Sequence, residues 1–181
     1  WKPLFYTSSV FTWIIYFVWF VSKYRTEEHF YLALIFLATF FAIFYATRIV
    51  NAVLRAEGGN IENTVSALVT CAIFFGFCLA ISDASTDAGK YWAFFTYLAV
   101  ISFALLVTSF QFYGRFVIYL TFGFTWLIFG VWYLNHYRIE EHFYIAGVFA
   151  AVYFAIFYGT ILAHRLLADY LSFIENTSLV L

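Results

Sequence analysis

The charged residues of this chain stand in clusters, and between the clusters lie six uncharged runs at residues 3–22, 30–47, 63–82, 91–114, 116–135 and 143–163. Each approaches the roughly 20 residues that an α-helix needs to cross a hydrocarbon core. A water-soluble globule of this length needs polar residues to coat it. With 65% hydrophobic residues, 10% charged residues and a mean hydropathy of +0.89, the chain has too few. A membrane barrel needs segments of about 10 residues that alternate apolar and polar side chains, whereas these runs are apolar all round. The expected class is an all-α integral membrane protein with six transmembrane helices.

A second feature constrains how those helices are arranged. Tyr24-Arg25-Thr26-Glu27-Glu28-His29-Phe30-Tyr31 returns as Tyr137-Arg138-Ile139-Glu140-Glu141-His142-Phe143-Tyr144, an offset of 113 residues, as from His29 to His142. The match extends upstream, where Phe11-Thr12-Trp13 and Trp19 become Phe124-Thr125-Trp126 and Trp132. Downstream, Phe41-Ala42-Ile43-Phe44-Tyr45 becomes Phe154-Ala155-Ile156-Phe157-Tyr158, and Ile61-Glu62-Asn63-Thr64 becomes Ile174-Glu175-Asn176-Thr177. About half of the positions from Phe11 to Thr64 are identical at this offset, more than shared composition explains.

The pattern predicts helices over about Pro3–Ser22, Glu27 or Phe30–Leu54, Ile61–Ser82, Tyr91–Phe110, up to Leu134, and Glu140–Leu167. Turns are expected at 23–29, at 55–60 with Gly58-Gly59, in the polar stretch 83–90 that holds Asp83 and Asp87, and at 111–115. One offset carries the first and second helices onto the fifth and sixth, so a unit contains four crossings and direction is preserved. The two copies are then parallel repeats about an axis along the membrane normal. Residues 1–113 form the first unit, and 114–181 form an incomplete second unit of two helices and the start of a seventh helix at Ile174. The opening on Trp1, the absence of methionine and the cut-off second copy lead to the expectation of a portion of a longer tandem-repeat protein.

Charge excludes some functions. Nine basic residues scattered through a chain of net charge −1 build no basic surface, so nucleic acid is not an expected partner. Lys2, Arg48, Arg55, Arg115 and Arg165 fall on the side of the N-terminus and Lys23, Arg25, Lys90 and Arg138 on the other, which tilts the N-terminus toward the cytoplasm. Cys71 and Cys78 lie two turns apart on one helix, beyond disulfide reach, and are read as free buried thiols.

Two clusters resemble a site: Glu27-Glu28-His29 and Glu140-Glu141-His142. Carboxylates and imidazoles are ligands for divalent metals. Adjacent helical residues, however, point about 100° apart, so one cluster does not easily supply three ligands to one ion. The competing reading is that the acids complement the positive end of a helix and the flanking Tyr24, Arg25, Phe30 and Tyr31 anchor the interface. Trp19 and Trp132 are assigned to the same interfacial belt. Arg48, His164 and Arg165 are read as helix-end residues that reach the headgroups, and Asn51, which aligns with His164, as a helix-end hydrogen-bonding residue. No nucleophile–histidine–acid set, zinc-protease motif or phosphate loop is present, so neither catalysis nor a cofactor is expected. The aromatic content of 26% is read as packing between helices.

Trp1, Phe11-Thr12, Trp19, the Tyr-rich turn with His29-Phe30 and the Phe-rich helix with Phe40-Phe41 and Phe44 resemble the bacterial multi-pass predicted membrane proteins of the uncharacterised family DUF2339. The resemblance implies long arrays of hydrophobic helices in a bacterial inner membrane and no established activity. The leading expectation is a non-enzymatic helical scaffold whose partners are the lipid bilayer and further helices. The alternative is a transporter or channel that carries a small solute or lipid through a cavity between repeats, for which the chain offers only scattered Thr and Ser such as Thr12, Thr39, Thr70 and Thr125.

Overall fold

The computed structural model describes residues 2–55, 61–84, 88–112 and 115–178. These form six helices: α1 (Lys2–Lys23), α2 (Thr26–Arg55), α3 (Ile61–Ala84), α4 (Ala88–Phe112), α5 (Arg115–His136) and α6 (Ile139–Ser178). Five segments are long and apolar enough to cross a membrane: Leu4–Lys23, Thr26–Thr47, Gly89–Val107, Phe116–His136 and Ile139–Ala163. In α3 the apolar stretch among the described residues is Leu68–Ser82, which is shorter. Large apolar side chains are exposed along every one of these helices, Ile15, Val21, Phe116 and Leu134 among them. Water would not tolerate so continuous an apolar surface; lipid does.

Several boundaries differ from the sequence expectation. The turn expected over 23–29 contracts to Tyr24 and Arg25, because Thr26, Glu27, Glu28 and His29 already form the first turn of α2. The loop expected over 83–90 is shortened from both sides, by α3 reaching Ala84 and α4 starting at Ala88. The seventh helix expected to start at Ile174 is not found among the described residues; α6 instead continues through it to Ser178. The physical reason lies just upstream. Where the first copy carries the helix-breaking pair Gly58-Gly59, the second carries Leu171-Ser172, which a helix accommodates.

The inner helices are α3 and α4. α3 packs on α2 and α5, while α4 packs on α5 and α6 and more lightly on α2. Within its span α4 is the most buried of the five and α1 the least, at 44% against 17%. Rings fill most of the space between helices. Phe77 of α3 lies under Tyr16 of α1 at 4.6 Å, Phe75 stacks on Phe124 of α5 at 5.5 Å, and Phe95 of α4 meets Trp132 of α5 at 4.9 Å. The reading of the aromatic residues as packing holds for these groups. Cys71 and Cys78 are buried and free, as the spacing required.

Among the described residues, hydrogen bonds tie neighbouring helices inside this apolar interior. Tyr16 Oη donates to the Ala33 carbonyl (3.0 Å), Tyr153 Oη donates to the Phe95 carbonyl (3.2 Å), and the hydroxyls of Ser102 and Thr125 pair at 3.0 Å. In lipid such bonds are retained because water is not there to replace them.

Candidate functional site

The two Glu-Glu-His clusters sit at the starts of α2 and α6, and the same backbone geometry builds both. The Arg25 carbonyl accepts from the amides of Glu28 (3.2 Å) and His29 (2.8 Å), and the Arg138 carbonyl accepts from those of Glu141 (3.3 Å) and His142 (2.8 Å). Each histidine then closes the turn in the other direction. The Arg25 amide donates to His29 Nδ1 at 3.3 Å, and the Arg138 amide donates to His142 Nδ1 at 3.1 Å. This is one half of a capping box, the side chain that reaches back to the N-cap amide, with the imidazole one position beyond the usual glutamate. It satisfies an amide that the helix itself leaves without a partner. An accepting Nδ1 places the proton of the neutral ring on Nε2.

The rings around the turns also recur. Trp19 meets His29 edge-on at 5.9 Å and Trp132 meets His142 at 5.7 Å. Phe20 stacks on Tyr24 at 4.4 Å, as Tyr133 does on Tyr137. The Trp19–Tyr24 and Trp132–Tyr137 centroids are both 6.4 Å apart. Burial pushes the Tyr24 phenol above its ordinary range, so it stays neutral.

The glutamates do not join these histidines in a cradle. Glu27, Glu28, Glu140 and Glu141 are all exposed in the first turns, where their charge complements the helix dipole. The nearest approach among the described groups is Glu141 Oε2 to His142 Nε2 at 4.0 Å. Nδ1 of each ring is already engaged by an amide. Among the described residues no three His, Cys, Asp or Glu side chains are grouped to hold a metal ion.

One difference separates the two turns. His142 is buried because Tyr91, at the start of α4, lies edge-on to it at 5.3 Å and also packs on Trp132 at 5.3 Å. His29 is only half-buried. Trp132 is fully buried within the protein, which corrects its assignment to the lipid interface, whereas Trp19 is half-buried. Sequence reading missed Tyr91, and the repeat offered no help: Tyr91 has no counterpart at the same offset within the chain.

Of the polar candidates inside the spans, Thr12 donates to the Ser8 carbonyl and Thr39 to the Ile35 carbonyl, both at 2.8 Å and both within their own helices. Thr125 is taken by Ser102. Thr70 is buried and lines, with Ser9, Trp13 and Phe77, an apolar groove of about 360 Å³ between α1 and α3. The side chains of Arg48, Asn51, Asp83, Asp87 and His164 lie outside the described residues; Arg165 is exposed. Comparison with protein-family models, with curated proteins and with solved structures finds no match.

Proposed function

We propose that this chain is a non-enzymatic scaffold of membrane-spanning helices, part of a longer bacterial inner-membrane protein built from parallel four-helix repeats and related to the family it resembles. α3 serves as a sixth span in this reading. The observation that carries it is the recurrence of a whole constellation at one offset. Cap, tryptophan–histidine pair and stacked aromatic pair appear at both turns with centroid distances agreeing within 0.2 Å for each pair. Packing that recurs at both turns, with the histidine Nδ1 atoms spent on backbone amides, supports a structural role. The groove between α1 and α3 lies within the first unit, and its nearly apolar lining suits an acyl chain better than a polar solute. That weighs for lipid as partner and against a transport path between repeats.

The topology is testable directly. Arg25 and Arg138 are exposed, and only their backbones take part in the caps. Single Arg25→Cys and Arg138→Cys variants in a Cys71→Ala, Cys78→Ala background should react with an impermeant thiol reagent from the same side of the membrane. Reaction from opposite sides would remove the parallel-repeat reading.

The absence of a metal role is tested by calorimetry in detergent. Added zinc or manganese is expected to leave the melting temperature unchanged. A folded-state ligand at a hundredfold excess over its Kd would contribute about 2.7 kcal/mol and raise it visibly. A rise that disappears when both His29 and His142 are replaced by Gln would sink the scaffold reading.

A further inference from the structure

We infer that the open face of the α1–α2 hairpin is a docking surface for one more membrane-spanning helix with the contact pattern of α4, supplied by another repeat unit. The inference rests on the repeat reading above and deepens it by naming what the first hairpin binds.

The internal duplication supplies the comparison. On α5–α6, the face covered by α4 is defined by direct contacts. Tyr91 lies against Trp132 and His142, and Trp92 lies against Phe149 at 5.1 Å. Phe95 lies against Phe129, Trp132 and Phe149, and Ser102 pairs with Thr125. The corresponding positions on α1–α2 are Trp19, His29, Phe36, Tyr16 and Thr12; four are the same residue type and Tyr16 replaces Phe129. Tyr16 is buried against Phe77 of α3, and Thr12, Trp19 and His29 are half-buried, but Ile15 and Phe36 on this face are open. Ile128, on the same stripe of α5 as Thr125 and Trp132, is 0% exposed, and its counterpart Ile15 is 67% exposed. Phe149 is 4% exposed and Phe36 is 40% exposed.

The open positions lie beside those α3 uses, and the two stripes meet at Tyr16. Phe77 reaches Trp13, Tyr16, Phe17 and Phe20 of α1, and beside it leaves Ile15 exposed and Thr12 and Trp19 half-buried. Thr12, lacking a partner helix, returns its hydroxyl to its own backbone, while Thr125 spends its hydroxyl on Ser102. A residue spacing of four and then seven, as from Tyr91 to Phe95 to Ser102, keeps two rings and a hydroxyl on one side of a helix. That pattern defines the occupant. One contact differs: Phe40 stands where Tyr153 donates to the Phe95 carbonyl, so the occupant forgoes that bond.

The test uses the full chain in lipid nanodiscs with a photo-crosslinking amino acid at Ile15, an exposed position, and a synthetic peptide of residues 88–112 added in trans. The expected result is a peptide adduct. A peptide carrying Tyr91→Ala, Phe95→Ala and Ser102→Ala should give roughly tenfold less, the equivalent of about 1.4 kcal/mol. Equal yields from both peptides, adducts with lipid alone, or adducts between two copies of the protein would each overturn the proposal. The Arg25 and Arg138 labelling is run on the same preparation. Opposite-side labelling there reports failure of the repeat reading itself, whereas same-side labelling without a peptide-specific adduct confines the failure to the docking surface.

Discussion

Trp132→Ala is expected to lower the unfolding free energy by about 3 kcal/mol, the low end of the range for truncating a buried tryptophan. Trp19→Ala should cost at most about half as much. The indole of Trp132 is fully enclosed by Tyr91, Phe95, Phe129, Tyr137 and His142. Its removal leaves a space that neighbours on three helices cannot readily close. Two considerations hold the cost to the low end. The denatured chain in detergent keeps the indole in apolar surroundings, so little transfer free energy is lost. Nε1 also has no hydrogen-bond partner among the described residues, so truncation strands no acceptor. Trp19 touches Tyr16, Tyr24, His29 and Phe36 but is open on one side, where lipid can refill the gap. Equilibrium unfolding in mixed micelles measures both, and equal costs would show that the cover provided by α4 contributes nothing.

The second large effect concerns the paired histidines. His29→Ala removes a cap whose amide water can reach, at a cost of about 1 kcal/mol. His142→Ala removes the same cap, loses the edge contacts with Tyr91 and Trp132, and leaves the Arg138 amide without its acceptor beside a buried cavity. The sum of cap and packing places its cost at about 2–3 kcal/mol. Hydrogen exchange at the Arg138 amide gives an independent readout. It should accelerate in His142→Ala, because the bond to Nδ1 is what protects it. Equal destabilisation by the two substitutions, with unchanged exchange at Arg138, would refute the capping role and the importance of Tyr91 together.

Much of the architecture was legible along the chain because its signals are local. An uncharged run of membrane length needs every backbone amide satisfied within the segment, and only a helix does that without knowing its neighbours. Glu27 and Glu28, like Glu140 and Glu141, mark helix starts by a field that acts over one turn. The breaks were less legible. The sequence block at Ile174 predicts a new helix by analogy with Ile61, but the second copy carries Leu171-Ser172 at the positions of Gly58-Gly59, and these residues disfavour helix far less than a glycine pair. Identity of a motif does not carry over the local chemistry that precedes it. The turn is shorter than the 23–29 the pattern predicts for a related reason: the imidazole that caps the helix acts through a ring nitrogen on a backbone amide, a bond no apolar pattern encodes.

By itself the sequence determined the all-helical class, the apolar character and the sequence duplication at 113 residues, because these follow from periodicity, composition and self-comparison. It could not determine that two nearly identical turns would have different surroundings. That was decided by where α4 lies: against α5 and α6 it buries Trp132 and His142 with Tyr91 and Phe95, while on α1 and α2 the matching Trp19 and His29 are only half-buried and Ile15 and Phe36 stay exposed. The physical reason is that burial belongs to a contact between segments distant in the chain. A ring on an apolar helix satisfies the same local rules against lipid as against another helix, so only the assembled bundle assigns it to one or the other.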